Sequence, residues 1–481
     1  MKYRTESDSL GSVQIPETAL YGAQTQRALE NFQISGLRMP RAFIEALGLI
    51  KAACAKANVQ LQQLDAPIGT AIIEAAEAVA SGHYDDHFPL DVFQTGSGTS
   101  SNMNANEVIA HLATSALQSP SGERENKGAT THPVSGAPTT TVHPNNQVNQ
   151  SQSSNDVIPT ALHLSCGLQA HRTLIPALEQ LACTIAKRAE GLQGIVKTGR
   201  THLMDAMPLT LGQELSGWQA QIEQHCLRIQ ESLRPLYALA IGGTAVGTGI
   251  NTVPGFGAQV AAFLAEDTGL PWHVDSNYFR ALSFMEPVLQ LSGQLRAIAT
   301  SFIKIANDLC LMNSGPLAGF SEIALPTLQP GSSMMPGKVN PVIPEAVIMA
   351  ATQVIGFDTS VSISAATGKF QLNTMLTLIA YNTLTSIQLM TASARHLAEK
   401  ALAHFTVNET HIAAQLASNP ILITALNPII GYEKGAEIAK RAYQEKRPIK
   451  DVAREMIPVS TLSNEALERL LDPKLLAHPH F

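Results

Sequence analysis

Seven apolar residues, Val288, Leu291, Leu295, Ile298, Phe302, Ile305 and Leu309, recur at intervals of three and four in the middle of a 481-residue chain. That spacing places them on one face of an α-helix beginning near Pro287, where a proline fits the first turn. Seven seam positions need a rod of roughly 30 Å or more. A rod with one apolar stripe is stable only when the stripe is covered. Two further segments can do this: Leu211, Leu215, Trp218, Ile222, Cys226, Ile229 and Leu233 repeat the pattern, and Leu174, Leu178, Leu181 and Ile185 give a shorter version. The fold class is therefore mainly α, with a central long-helix bundle, and the seam residues are core.

The chain is 45% hydrophobic and 15% charged, long enough for two or three domains with a substantial core. We expect a mainly helical N-terminal domain over 1–150, the bundle over 151–410 and a small helical domain over 411–481. A net charge of −7 gives no electrostatic case for nucleic acid or an anionic membrane. The five cysteines (54, 166, 183, 226 and 310) are widely spaced, which suggests reduced structural thiols and no zinc or iron–sulfur centre. The polar start and the lack of an uninterrupted apolar run of spanning length make a soluble, cytoplasmic chain the expectation.

Polar stretches lie between the rods. Gly331-Ser332-Ser333-Met334-Met335-Pro336-Gly337-Lys338-Val339-Asn340-Pro341 sets hydroxyls, an ammonium and an amide on a segment fixed by glycine and proline, as an anion site requires. Gln94 to Glu107 leads from glycines and hydroxyls into a helix start, where backbone N–H groups with Ser97 and Thr99 form an uncharged carboxylate site. Asn149 to Asp156 is a row of amides and hydroxyls before a second helix. Helix capping explains either of these two equally well. Gly199-Arg200-Thr201-His202 supplies a histidine. Gly242 to Gly249 lacks the Gly-Lys-Ser/Thr ending of a phosphate loop and reads as a tight crossing. The stretch Ser119 to Thr141 reads as an exposed loop.

A molecule with several carboxylates needs many donors, and Ser97, Thr99, Ser100, Asn102, Ser153, Ser154, Asn155, Thr201, Lys338 and Asn340 provide them. If such a molecule loses a proton beside a carboxylate, that carboxylate becomes a dianion, a charge suited to Lys338 and Asn340. A base must take the proton and an acid must serve the departing group. His202 and the hydroxyl of Ser332 or Ser333 are the candidates, with Glu345 available to orient a histidine.

With these stretches in this order, the sequence resembles the fumarase/aspartase superfamily, most closely class II fumarase. The likeness rests on Thr95 to Asn104, Ser151 to Asp156, Gly199 to His202, Gly242 to Gly249 and Gly331 to Pro341, and runs from Gly22 to about Lys434. It implies three mainly helical domains and reversible hydration of fumarate to L-malate through an aci-carboxylate, with no metal or organic cofactor. Ser332 would be the C3 base. His202, paired with Glu345, would serve the water site. Thr99, Ser153, Ser154, Asn155, Thr201, Lys338 and Asn340 would bind substrate. A homotetramer is implied, each active site drawing on three subunits. Aspartate ammonia-lyases share most of this site and remain the alternative, followed by a catalytically silent crystallin-like relative. The family's accessory anion stretch usually reads His-Pro-Asn-Asp. Here it is His143-Pro144-Asn145-Asn146, and Thr140 stands where many fumarases have arginine, which weakens the case for that second site.

Overall fold

The structure is a computed structural model and describes residues 2–118 and 141–478. Thr140 and the expected loop before Thr141 lie outside the described residues. Among those described there are eighteen α-helices and four two-stranded sheets.

The long central seam forms the helix Glu286–Met312, 27 residues or about 40 Å, and all seven of its apolar positions are fully buried. The second seam forms Leu211–Leu233. The third lies in Ile175–Gly191 with Leu174 in the preceding turn. Burying each such side chain contributes about 1.5–3 kcal/mol, so these stripes decide where the rods lie.

The chain divides into two compact units. One comprises Met1–Ile175, Arg228–Ala297 and Gln353–Met390; the other comprises Pro176–Leu227, Ile298–Thr352 and Thr391–Phe481. Each boundary falls inside a helix. In the first unit an antiparallel hairpin, Tyr3–Asp8 with Gly11–Pro16, precedes the helices Arg41–Gln60, Ala66–Ala80, Thr99–Gln118 and Ser154–Gln169. Glu107 fixes the start of the helix Ala23–Asn31, accepting the N–H groups of Gly22 at 2.8 Å, Gln24 at 2.9 Å and Thr25 at 3.1 Å. In the second unit the hairpin Val196–Thr201 with Met204–Thr210 carries a register shift between Thr198 and Arg200. A separate core of Leu416, Leu422, Ile438, Ile449, Val452 and Leu467 holds the C-terminal helices together.

One helix, Val342–Ala365, is long and apolar enough to cross a membrane by length and composition alone. Its packing within the chain involves Asp358, whose carboxylate accepts from Ser292 and Arg296 at 2.7 and 2.8 Å. Only 28% of its most apolar window is buried, however, and Met349 and Ile363 are 69% and 66% exposed.

Candidate active site

Two of the polar stretches converge in the first unit. The amide of Asn102, buried on the helix Thr99–Gln118, donates to Ser154 Oγ at 3.0 Å and to Asn149 Oδ1 at 3.2 Å. Ser97 and Thr99 hydroxyl oxygens are 2.9 Å apart, and Ser100 Oγ donates to Thr95 Oγ1 at 3.2 Å. The turn before this helix admits only glycine at position 96: a Cβ there would sit 1.6 Å from the carbonyl oxygen of Thr374, and Leu376 N–H bonds the Gly96 carbonyl at 2.9 Å.

Ser153 is the N-cap of the helix Ser154–Gln169, with Asp156 completing a capping box. Capping thus uses the Ser153 hydroxyl, which accepts from Asn155 N–H at 3.3 Å. Asp156 does more than cap. Its other carboxylate oxygen accepts the N–H groups of Gly242 and Thr244 at 3.0 and 2.9 Å, and the Asn155 amide donates to the Ala245 carbonyl at 2.8 Å. These bonds hold the glycine-rich crossing against the Ser153–Asn155 segment. Complete burial pushes the Asp156 carboxyl up to about 6, against the opposing pull of three backbone donors and the Lys51 charge.

The Gly331–Pro341 stretch, in the second unit, is a closed loop. Gly331 N–H bonds the Lys338 carbonyl at 3.0 Å, and a Cβ at Gly331 would lie 2.2 Å from that oxygen. Asn340 donates from Nδ2 to the Gly331 carbonyl at 2.8 Å, so one of its two amide hydrogens closes the loop and the other, with no acceptor among the described residues, can serve a ligand. Ser332 Oγ accepts the backbone N–H groups of Met334 and Met335, each at 3.1 Å. Two donors on one hydroxyl oxygen are the arrangement that stabilises negative charge there. Ser333 and Lys338 are exposed, and a cavity of about 470 Å³ is lined by Gly331, Ser332 and Lys338 among others.

Thr201 and His202 stand at the tip of the hairpin in the same unit, both exposed. The turn's central residues, His202 and Leu203, have φ of 55° and 60°. Tight hairpins favour that conformation but usually fill it with Asn-Gly, so each side chain here costs about 1 kcal/mol or more. The strand leading to the turn is held from behind. Buried Lys197 bonds Glu214 at 2.6 Å and Glu322 at 2.7 Å, while Arg200 bonds Glu322 at 2.7 Å and stacks on Phe320. Arg200 is thereby committed to the scaffold. Glu345 is exposed in the first turn of Val342–Ala365, and among the described residues no hydrogen bond joins it to His202.

At the expected accessory site, His143 caps the short segment Pro144–Val148. Its Nδ1 accepts the N–H groups of Asn145 and Asn146 at 3.1 and 3.2 Å. Two backbone donors of this segment are therefore already occupied by the imidazole.

Comparison with known proteins shows which family the chain belongs to. A family model described as lyase matches residues 11–356, and one described as fumarase C C-terminus matches residues 422–478. A class II fumarate hydratase from Xylella fastidiosa (strain 9a5c) is 52% identical over 475 residues, covering 99% of this chain and 95% of its own. The chain belongs to the class II fumarase family. The crystal structure of a class II fumarase from Schistosoma mansoni agrees with a TM-score of 0.92 at 35% identity, covering 100% of both chains. A cobalt-bound fumarate lyase:delta crystallin from Brucella melitensis gives 0.90 at 40% identity, covering 99% of this chain and 100% of its own.

Within this class II fumarase framework, two residues escaped the reading of the sequence. Asp156 was legible as the last member of a Ser-x-x-Asp capping pattern, but not as the clamp on a loop some ninety positions away. Lys51 is fully buried and bonds Asn149 and Gln152. Its one signal was a lone cation in the apolar run Ala46–Ala55.

Proposed function

We propose that this chain reversibly hydrates fumarate to L-malate, as a class II fumarate hydratase, with Ser332 as the C3 base. The observation that carries the assignment of the base is the pair of N–H groups on Ser332 Oγ. A serine hydroxyl is far too weak an acid to ionise unaided, and local donors with the nearby Lys338 ammonium lower that cost.

In the direction of water loss, Ser332 takes a proton from C3 of malate. The electron pair left behind moves into the adjacent carboxylate, giving a dianionic aci-carboxylate for Lys338 and the free amide hydrogen of Asn340 to stabilise. The pair then returns to form the C2–C3 double bond as the C2–O bond breaks, and the departing hydroxide takes a proton on the side served by His202 and Glu345. Hydration is the reverse. Ser97, Thr99, Ser100, Ser154, Asn155 and Thr201 hold the two carboxylates, with Ser153 contributing chiefly as cap. His143, Asn145 and Asn146 fit an accessory anion site poorly. The steps are two proton transfers and the breaking of one C–O bond, and they call on no metal or organic cofactor. In 2H2O, chelator-treated protein should convert fumarate to malate carrying one deuterium at C3. Activity lost on chelation and restored by a metal would contradict this reading.

The same reading gives three domains, divided near 150 and 410, and a homotetramer in which each active site draws on three subunits. The under-buried apolar helix Val342–Ala365 supports the assembly, since a further subunit would cover Met349 and Ile363. Light scattering should give a mass four times the 51.3 kDa of the chain. A fully active monomer would defeat the shared-site arrangement.

A further inference from the structure

Lys51 is completely buried on the helix Arg41–Gln60, yet no carboxylate is bonded to it among the described residues. Its ammonium donates instead to two neutral oxygens, Asn149 Oδ1 at 3.0 Å and Gln152 Oε1 at 2.8 Å. Holding an ammonium in the interior against amide oxygens alone is costly, and an apolar side chain of similar volume would serve packing better. The position of the charge suggests what offsets that cost. Asn149 Oδ1 also accepts from Asn102, and the same Asn102 amide bonds Ser154 Oγ. Asn58, two turns further along the same helix, bonds the Gln150 carbonyl and accepts from Ser151. One helix face thus grips the segment that runs directly into Ser153, Ser154 and Asn155.

We propose that Lys51 is a positioning residue of the dicarboxylate site, which fixes Asn149 and Gln152 beneath the Ser154–Asn155 donors and adds a buried positive charge behind that cluster of hydroxyls and amides. The inference rests on the proposed assignment of Ser154 and Asn155 to substrate binding. Burial lowers the ammonium to about 7, and the groups whose charges reach it are Cys54, on its own helix, and Asp156, on Ser154–Gln169. The buried charge is therefore present at pH 6 and largely lost by pH 8.5. Asp156, pushed up to about 6, gains its negative charge over the lower part of the same interval, so a dianion held partly by the Lys51 charge should bind less tightly as pH rises, and the part due to Lys51 is the part that Lys51→Met removes.

The test is calorimetric binding of succinate, a dicarboxylate that cannot eliminate water, to the assembled full-length protein. Lys51→Met keeps the length of the side chain and removes the charge and its hydrogen bonds. It should weaken succinate binding at least about 10-fold at pH 6, and the fall in affinity from pH 6 to pH 8.5 should be at least about threefold smaller than in the wild type. Equal affinity at pH 6, or parallel pH profiles, would overturn the proposal. If Lys51→Met does not fold, Gln152→Ala removes one of the two acceptors and should weaken succinate at least about threefold; unchanged binding would again overturn it. A wild type that fails to bind succinate would instead overturn the reading of the site on which the inference rests.

Discussion

Ser332→Ala should lower turnover at saturating substrate at least about 100-fold while fold and assembly are retained. The hydroxyl lies on a loop and contributes almost nothing to a core, so its removal leaves no costly cavity. It does remove the atom on which the Met334 and Met335 N–H groups converge. If that oxygen takes the C3 proton, exchange of deuterium into C3 of malate should fall with turnover, because proton removal is common to both. Near-normal turnover and exchange in a folded Ser332→Ala protein would exclude Ser332 as the required base. Ser333, which is exposed on the same loop, would then become the candidate.

Lys338→Ala should produce a different pattern. Its ammonium is exposed, and among the described residues it pairs with no carboxylate, so it is free to meet an anion. The charge acts on the bound dicarboxylate and more strongly on the aci-carboxylate, so KM should rise and kcat should fall. Removing one such donor costs about 3–4 kcal/mol, or roughly 10²–10³ in rate. A change in KM alone would mean that Lys338 recognises the ground state and does not stabilise the intermediate.

The contrast between these residues and Lys51 shows what a linear sequence reveals. The three rods were legible because helical periodicity is local, and every seam position is at least nine-tenths buried in the fold. The Ser332 loop was legible because Pro336 and Pro341 fix the backbone, and Gly331 and Gly337 admit close approach and positive φ respectively, within a few residues of the hydroxyl. Contacts that close over long separations were not. Asn340 looked like a free donor, yet half of its amide closes its own loop. Arg200, near His202 in the sequence, is held by Glu322, more than a hundred residues further on. His202 was visible as a histidine, whereas its left-handed turn depends on hairpin register and on the buried Lys197–Glu322 pair behind it. The sequence also left hydration and amination unresolved, because the donors that bind two carboxylates are the same for both.

That choice of nucleophile is the central claim, and parallel incubation of the purified protein with fumarate in plain buffer and in ammonium buffer tests it most directly. Rapid formation of L-malate in both, without aspartate, is the expected result; aspartate formed only with ammonia, or no product in either buffer, would contradict it.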